Sequence, residues 1–542
     1  MSLDAAGLQV LIARLGGIAE EMGAVLQRSA FSPNIKERAD CSAAVFDAEG
    51  RVLAQAEHIP VHLGSMPASV AAVIVRFGDS LGPGGQAIVN DPHAGGTHLN
   101  DITVVAPCWV EGPGGLELVG WVANRAHHAD VGGAAPGSMP ADATEIQQEG
   151  LRLPPVRLTD EVRTVLLANS RTPAERSGDL DAQVGANVVG VRRLAELAGA
   201  PFAEVIAHGE RRCRAVLDAL EVGQCSATDV LDSTGPTEAQ QRPATITCTV
   251  RVGRDAAGRS TIAFDFTGTD AQRAGNTNAV EAVTVSAVGF ALRTVLDHTL
   301  PANAGVMAPV EVIAPEGSLV AARFPAAVGA GNVEVSQRIA DVCRLALAGV
   351  VPERVAAADQ GTMNNLLVGG TGAGSDGAAD PAADAGPWVY YETVAGGQGG
   401  RPPRPDRPGS APVPGMSGVH TGMTNTKNTP IEALERSYAM RVRALRLWRS
   451  GGVGAAPGGD GVEREVELLE DATVSLITER RASQPWGLAG GGPGARGENW
   501  LLPHGEEANA IRLPDKVTLQ VAAGDVIRMR TPGGGGWGAP SG

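Results

Sequence analysis

Two clusters of side chains able to ligate a metal or move protons lie close together near the start of the chain. The first reads Asp91-Pro-His93-Ala-Gly-Gly-Thr97-His98-Leu-Asn-Asp101, the second His127-His128-Ala-Asp130. A His-x-x-Asp pair with a third histidine supplies the ligands of a mononuclear divalent site that leaves positions free for water or substrate. A carboxylate in the set admits Mn²⁺, Fe²⁺ or Zn²⁺. Asp91, His93 and Asp130 could stand behind such ligands, orienting them or moving protons. Gly95-Gly96, just ahead of His98, would let the backbone bend tightly and approach a bound group. The same residue types also cap turns and satisfy loop amides, so spacing alone leaves both uses open.

The element that must bring the clusters together is a β-hairpin. Residues 102–109 and 116–124 are β-rich apolar runs, joined by Glu111-Gly-Pro-Gly-Gly115, a strong turn signal. A hairpin centred near Pro113 returns its two ends to one place. Pairing residues whose numbers sum to about 226 sets Asp101 opposite Arg125 and His98 opposite His128, within a residue or two of register.

With 542 residues, 43% of them hydrophobic, the chain can bury large cores, and it reads as globular with intimately packed domains. A formal net charge of -16 argues against nucleic acid or an anionic membrane as partner. Lysine occurs only at Lys36, Lys427 and Lys516, so no Gly-x-x-x-x-Gly-Lys phosphate loop exists and any ATP would be bound by another chain. The six dispersed cysteines form no Cys-x-x-Cys pair, which fits reduced, mostly buried thiols in a cytoplasmic protein. Asp4, Arg14, Glu20 and Glu21 interrupt the apolar pattern at the N-terminus, which reads as an amphipathic helix and not a signal peptide. No uninterrupted apolar run reaches the roughly 18 to 20 residues of a membrane span, the nearest being residues 279–296.

Periodicity predicts helices over residues 8–29, 65–77, 279–296, 336–350 and 431–447, with helices dominating 159–220, where Thr159 serves as an N-cap and Gly199 ends a helix. Strands are predicted at 42–47, 51–54, 86–90, 463–469 and 517–521, with a second hairpin at 244–251 and 260–266. Strands and helices do not alternate regularly. The fold class is therefore α+β, with largely antiparallel sheets and packed helices in a multi-lobed single chain. We divide it into an N-terminal α+β region, 1–235, carrying the metal site, and a C-terminal α+β region, 236–542, carrying Gly- and Pro-rich surface excursions at 369–386 and 401–414. Gly78-Asp-Ser80-Leu-Gly82 matches a nucleophile elbow in letters. It follows a helix and precedes a strand, however, the reverse of the required context.

Long motifs in one order carry a family resemblance. They include Ile35-Lys-Glu-Arg38-Ala-Asp40-Cys-Ser42, Ile59-Pro-Val-His62-Leu-Gly-Ser-Met66, the two clusters above, Arg176-Ser-Gly-Asp179-Leu-Asp181-Ala-Gln183, Gly275-Asn-Thr-Asn278, Gly331-Asn332, Met423-Thr-Asn425-Thr-Lys-Asn428-Thr-Pro430 and a closing Thr531-Pro-Gly-Gly-Gly-Gly536. Over almost its full length the chain resembles the hydantoinase B/oxoprolinase family: N-methylhydantoinase beta subunits, the C-terminal half of 5-oxoprolinases, and a subunit of acetone and acetophenone carboxylases. His93 departs from the aromatic residue expected there.

The resemblance implies a subunit working in a hetero-oligomer with an actin-like, hydantoinase A-type ATPase on a small cyclic amide. It also implies a divalent metal, Mn²⁺ foremost, on His98, Asp101 and His127, with His127 preferred to His128 by its place in the Arg-Ala/Gly-His pattern. A lactam carbonyl is a poor electrophile, so ATP on the partner would phosphorylate its oxygen to make a leaving group before metal-assisted hydrolysis. His128 or Asp130 would act as general base, and Arg38 or Arg125 would hold an anionic intermediate. Buried ion pairing is the competing use of Arg38, Asp40 and Asp179. For His62 the expectation is a satisfied core histidine, and Asn278, Asn332 and Asn425 could equally pin loops. Two other readings stand beside the hydrolase: a subunit of an ATP-dependent acetone-type carboxylase, and a non-catalytic structural partner of the ATPase.

Overall fold

Apolar side chains alternate on both faces of the N-terminal strands, so the first sheet must be covered twice. In the computed structural model, which describes residues 3–57, 59–372, 386–404, 407 and 409–540, it is. Strands β1 (Cys41–Asp47), β2 (Val52–Glu57), β3 (Ala87–Val89), β4 (Asp101–Gly112), β5 (Gly115–His127) and β6 (Val156–Arg157) form an antiparallel sheet in the order β2-β1-β5-β4-β3-β6. Helix Ala5–Ser29 packs Leu15, Ile18 and Met22 against Ala43, Val45 and Val122 on one face. Helix Ser65–Phe77 packs Met66, Val70 and Val73 against Phe46, Val105 and Trp121 on the other. The stretch Pro60–Ser80 is long and apolar enough to cross a membrane by composition, but these contacts make it a covering layer of the sheet.

A second sheet, β7 (Gly223–Leu231), β8 (Ala244–Arg254), β9 (Ser260–Asp265) and β10 (Val310–Ile313), runs β10-β9-β8-β7, with β9 and β10 parallel. A division at residue 235 would part β7 from its partner β8, because the hairpin joining them spans that point. Two further antiparallel sheets lie beyond. One is β12-β11-β15-β18, from β11 (Asn365–Gly370), β12 (Trp388–Thr393), β15 (Ala472–Ile477) and β18 (Lys516–Val521). The other is β13-β14-β19-β16-β17, from β13 (Met440–Trp448), β14 (Gly461–Leu468), β16 (Glu498–Leu502), β17 (Ile511–Leu513) and β19 (Val526–Arg530). The α+β class stands.

Two local expectations change. The helix expected over 431–447 stops at Ser437, and Met440–Trp448 is strand β13. A β-bulge between Val442 and Ala444 shifts the pleat there, and the resulting three-residue spacing of Val442 and Leu445 imitates a helical face. The hairpin register also moves. Its tip pairs Gly112 with Gly115, and a second bulge at Cys108/Trp109 adds one more residue, so Asp101 lies opposite His127 and not Arg125. All six cysteines are free, and five are buried. Of the two expected surface excursions, residues 373–385 fall outside the described residues, while Arg401 and Val413 form a short β-bridge within the other.

Candidate metal centre

The open end of the β4–β5 hairpin is where sequence-distant ligands meet. His127 ends β5, with its backbone N–H donating to Asp40 O at 3.0 Å and its carbonyl accepting from Asn34 Nδ2 at 2.7 Å. Asn100 holds the other strand, donating to the carbonyls of His128 and Gly137. His98 comes from the loop before β4. Gly95 is left-handed there (φ 93°), and a Cβ on it would stand 2.4 Å from Ala68 O, so the loop can lie against helix Ser65–Phe77 only with glycine at this point.

Three ligand atoms result. His98 Nε2 lies 3.1 Å from Asp101 Oδ1 and 3.2 Å from His127 Nδ1, and His127 Nδ1 lies 3.4 Å from Asp101 Oδ1. Bonds of roughly 2.1 Å at octahedral or tetrahedral angles set neighbouring ligands about 3.0–3.4 Å apart. The triangle therefore fits one face of a divalent ion's coordination sphere, and the three residues form a buried group able to hold such an ion.

The surroundings fix the carboxylate. Asp101 Oδ2, the oxygen that does not face His98 and His127, accepts from Thr97 Oγ1 at 2.5 Å and Asn332 Nδ2 at 3.3 Å, and His62 Nε2 lies 3.4 Å away. His62 Nδ1 in turn meets Ser42 Oγ at 2.9 Å. His62, expected to be a satisfied core histidine, is satisfied by the site itself. The His127 ring stacks on Tyr391, centroids 4.5 Å apart, and Tyr391 donates to Asn365 Oδ1. Tyr391 comes from β12, a strand the periodicity did not reveal; no sequence signal ties it to His127.

Electrostatics agree with a cation-binding face. Burial works to raise the Asp101 carboxyl, but His98, His127 and His62 around it hold it well below the carboxylate range. Burial works to lower His98, yet Asp101 and Asp40 outweigh it, and its pKa is raised. His127 is pushed down to about 3 by burial, with the neighbouring His98 adding to the shift against the pull of Asp101. The Asp101 carboxylate thus sits among ring nitrogens that would give up any proton to ligate a divalent ion.

The other predicted residues lie elsewhere. His128, one residue further along, turns to the opposite side, where its Nε2 meets Gln183 Oε1 at 2.9 Å. Asp130 accepts from the backbone N–H groups of Gly132, Gly137 and Arg171 and from Arg171 Nη1, so both its oxygens are engaged in shaping the following loop. Arg38 donates to Asn34, Thr393 and the carbonyls of Tyr391 and Lys427. Arg125 donates to Thr103, Ser65 and Ser69. Both side chains, expected to hold an anion, are buried and hydrogen-bonded within the protein. Asp91 caps His93 and pairs with Arg152, while His93 packs edge-on to Phe324, 5.7 Å away. Asp179 pairs with Arg176 at 3.0 Å, both fully buried, as the ion-pair reading anticipates.

Comparison with known proteins places the chain in a family. Residues 4–540 match the family model Hydantoinase B/oxoprolinase. An uncharacterized protein of Methanocaldococcus jannaschii is 37% identical over 99% of this chain and 91% of its own length. 5-Oxoprolinase 1 of Arabidopsis thaliana is 36% identical, and this chain spans 42% of its length. The B component of a putative D-/L-hydantoinase from a Pseudomonas strain is 29% identical over 99% of this chain and 90% of its own. Among solved structures, the ATP-dependent caprolactamase of Pseudomonas jessenii superposes with a TM-score of 0.85 at 26% identity, covering 99% of this chain and 92% of that one. Acetone carboxylase shares the fold, with a TM-score of 0.83 at 19% identity over 98% and 75% of the two chains. On the full-length match, with the ordered motifs it spans, the chain belongs to the hydantoinase B/oxoprolinase family.

Proposed function

We propose that this chain is the metal-holding subunit of an ATP-dependent cyclic amidohydrolase, opening a hydantoin or lactam ring together with an actin-like ATPase subunit in a hetero-oligomer. The observation that carries the reading is the buried triangle of His98 Nε2, Asp101 Oδ1 and His127 Nδ1. The names of the oxoprolinase, hydantoinase and caprolactamase relatives support the reaction class. His98, Asp101 and His127 would hold the ion, Mn²⁺ foremost, with Zn²⁺ or Fe²⁺ compatible with the same donors. A divalent ion there polarises an oxygen of the substrate or generates a nucleophile at neutral pH.

The chain's own residues prepare the site. Thr97, Asn332 and His62 all address Asp101 Oδ2, leaving Oδ1 free to face the histidines. Tyr391 fixes the plane of the His127 ring. Burial of all three ligands keeps bulk water from competing for their lone pairs.

The test is metal quantification of the purified chain, then ring opening with the ATPase and ATP for wild type, His98→Ala and Asp101→Ala. We expect one divalent ion per chain in wild type, little in the variants, and loss of turnover with the metal. Turnover that survives complete metal removal would make the chain a structural partner of the ATPase. Incorporation of carboxylate into a ketone would move it to the carboxylase branch.

A further inference from the structure

The π-helical turn Gly331–Val335 is buried along its whole length. A Cβ on Gly331 would stand 1.8 Å from Asn278 O, and the Gly331 N–H donates to Asn276 O at 3.1 Å, so the Gly275-Asn-Thr-Asn278 and Gly331-Asn332 motifs lock together with no room for a side chain. Single π turns of this kind recur at functional sites. Two side chains of the turn lead to the triangle of ligand atoms. Asn332 Nδ2 donates to Asp101 Oδ2. Glu334 Oε1 accepts from Asn365 Nδ2 at 2.7 Å, Asn365 Oδ1 accepts from the Tyr391 hydroxyl at 2.8 Å, and the Tyr391 ring lies on His127, 18° from parallel.

Each link is directional. Asn365 Nδ2 meets two acceptors, Glu334 Oε1 and Ile477 O, which fixes the amide with its oxygen toward Tyr391 and makes the tyrosine hydroxyl the donor. Asn365 pairs with Thr393 across β11 and β12, so Tyr391, two residues along, is its diagonal neighbour on the same face. A ligating histidine is usually oriented by a hydrogen bond on its second ring nitrogen, whereas His127 Nε2 is buried without one. The stack on Tyr391 is what remains to orient the ring. We infer, on the reading of His98, Asp101 and His127 as a metal centre, that Glu334, Asn365 and Tyr391 are positioning residues that hold the His127 ring with Nδ1 toward the ion. One buried turn then sets two of the three ligands, Asp101 through Asn332 and His127 through this brace.

The probe is Co²⁺, titrated into the full chain, with affinity taken from chelator competition and ligand geometry from the visible absorption of the ion. Tyr391→Phe keeps the stack and loses the hydroxyl, while Glu334→Leu removes the acceptor at the far end. We expect each to weaken Co²⁺ by at least about tenfold, the lower end for supporting residues, and to shift the absorption band. Glu334→Gln, which can still accept from Asn365, should bind as wild type does. Residues acting through one brace are not additive, so Tyr391→Phe/Glu334→Leu should bind within about twofold of the weaker single variant. Tyr390→Phe removes the neighbouring hydroxyl from the other face of β12, where that ring packs on Tyr438, and should change neither affinity nor band. Wild-type affinity in Tyr391→Phe, an equal loss in Tyr390→Phe, or no recovery in Glu334→Gln would overturn the proposal. Where Glu334→Leu fails to melt cooperatively, Tyr391→Phe against Tyr390→Phe decides. A wild-type chain that binds no Co²⁺ sinks the metal reading and the brace with it, whereas unaltered variants of a chain that does bind it sink the brace alone.

Discussion

Asp101 and His127 face each other directly across the β4–β5 ladder, with Asp101 Oδ1 3.4 Å from His127 Nδ1. Directly paired residues share a face of the sheet, so this pairing alone decides which of two adjacent histidines meets the carboxylate. His128 is sent to Gln183.

Replacing His127 by Ala should therefore release bound metal, with affinity falling by more than the roughly 10–100-fold that loss of a supporting partner costs. His128→Ala should leave metal content intact and lower stability by about 1–3 kcal/mol, since it leaves buried Gln183 short of a partner. Elemental analysis together with urea unfolding of both variants separates the two.

Asn332 holds Asp101 Oδ2 from a π-helical turn, Gly331–Val335. Asn332→Ala should weaken metal binding by roughly 10–100-fold, the range for supporting residues. Chelator competition measures it, and an unchanged affinity would reduce Asn332 to a loop pin.

Asp130 accepts hydrogen bonds from three backbone amides and from Arg171. Asp130→Asn should destabilise the protein by about 2–3 kcal/mol, the scale of hydrogen bonds to a charged group, while turnover per folded molecule changes little. A fall in turnover of roughly 10²–10⁴ with stability unchanged would support the general-base role.

Glu334 offers a pH test away from the ligands. Burial, reinforced by the charge of Glu479, raises its carboxyl from 4.5 to about 8. The native state therefore keeps a proton that the unfolded state releases above about pH 4.5. Its contribution to stability is full below that pH and is lost as pH rises to about 8. Glu334→Gln, which can still accept from Met363 N and Asn365 Nδ2, should flatten this decline and exceed wild type above pH 8 by several kcal/mol, on the order expected for such a shift. Unfolding free energies measured across pH 5–9 check the sign.

Much of the candidate site was legible because a hairpin is a local object. The alternation of residues 102–109 and 116–124 and the glycine-rich turn are in the sequence, and they require Asp101 and the second histidine cluster to converge. The register was not legible, since the bulge at Cys108/Trp109 adds a residue that no local signal announces. For the same reason a bulged β13 was read as helix. Arg38, Arg125 and Asp130 stand beside the histidine clusters in the sequence, but their hydrogen-bond partners, some hundreds of residues away for Arg38, are visible only in the tertiary structure.

By itself the sequence determined the class of fold, the ordered family motifs and the pair His98 and Asp101, whose three-residue spacing brings them together in one turn. The tertiary structure decided which histidine joins that pair, the stacking of Tyr391 on it, and the contacts of His62 and Asn332 with Asp101. The physical reason is range: alternation and turn chemistry act over a few neighbouring residues, whereas ladder register and the packing of distant strands are set by the whole core and leave no mark in any short window.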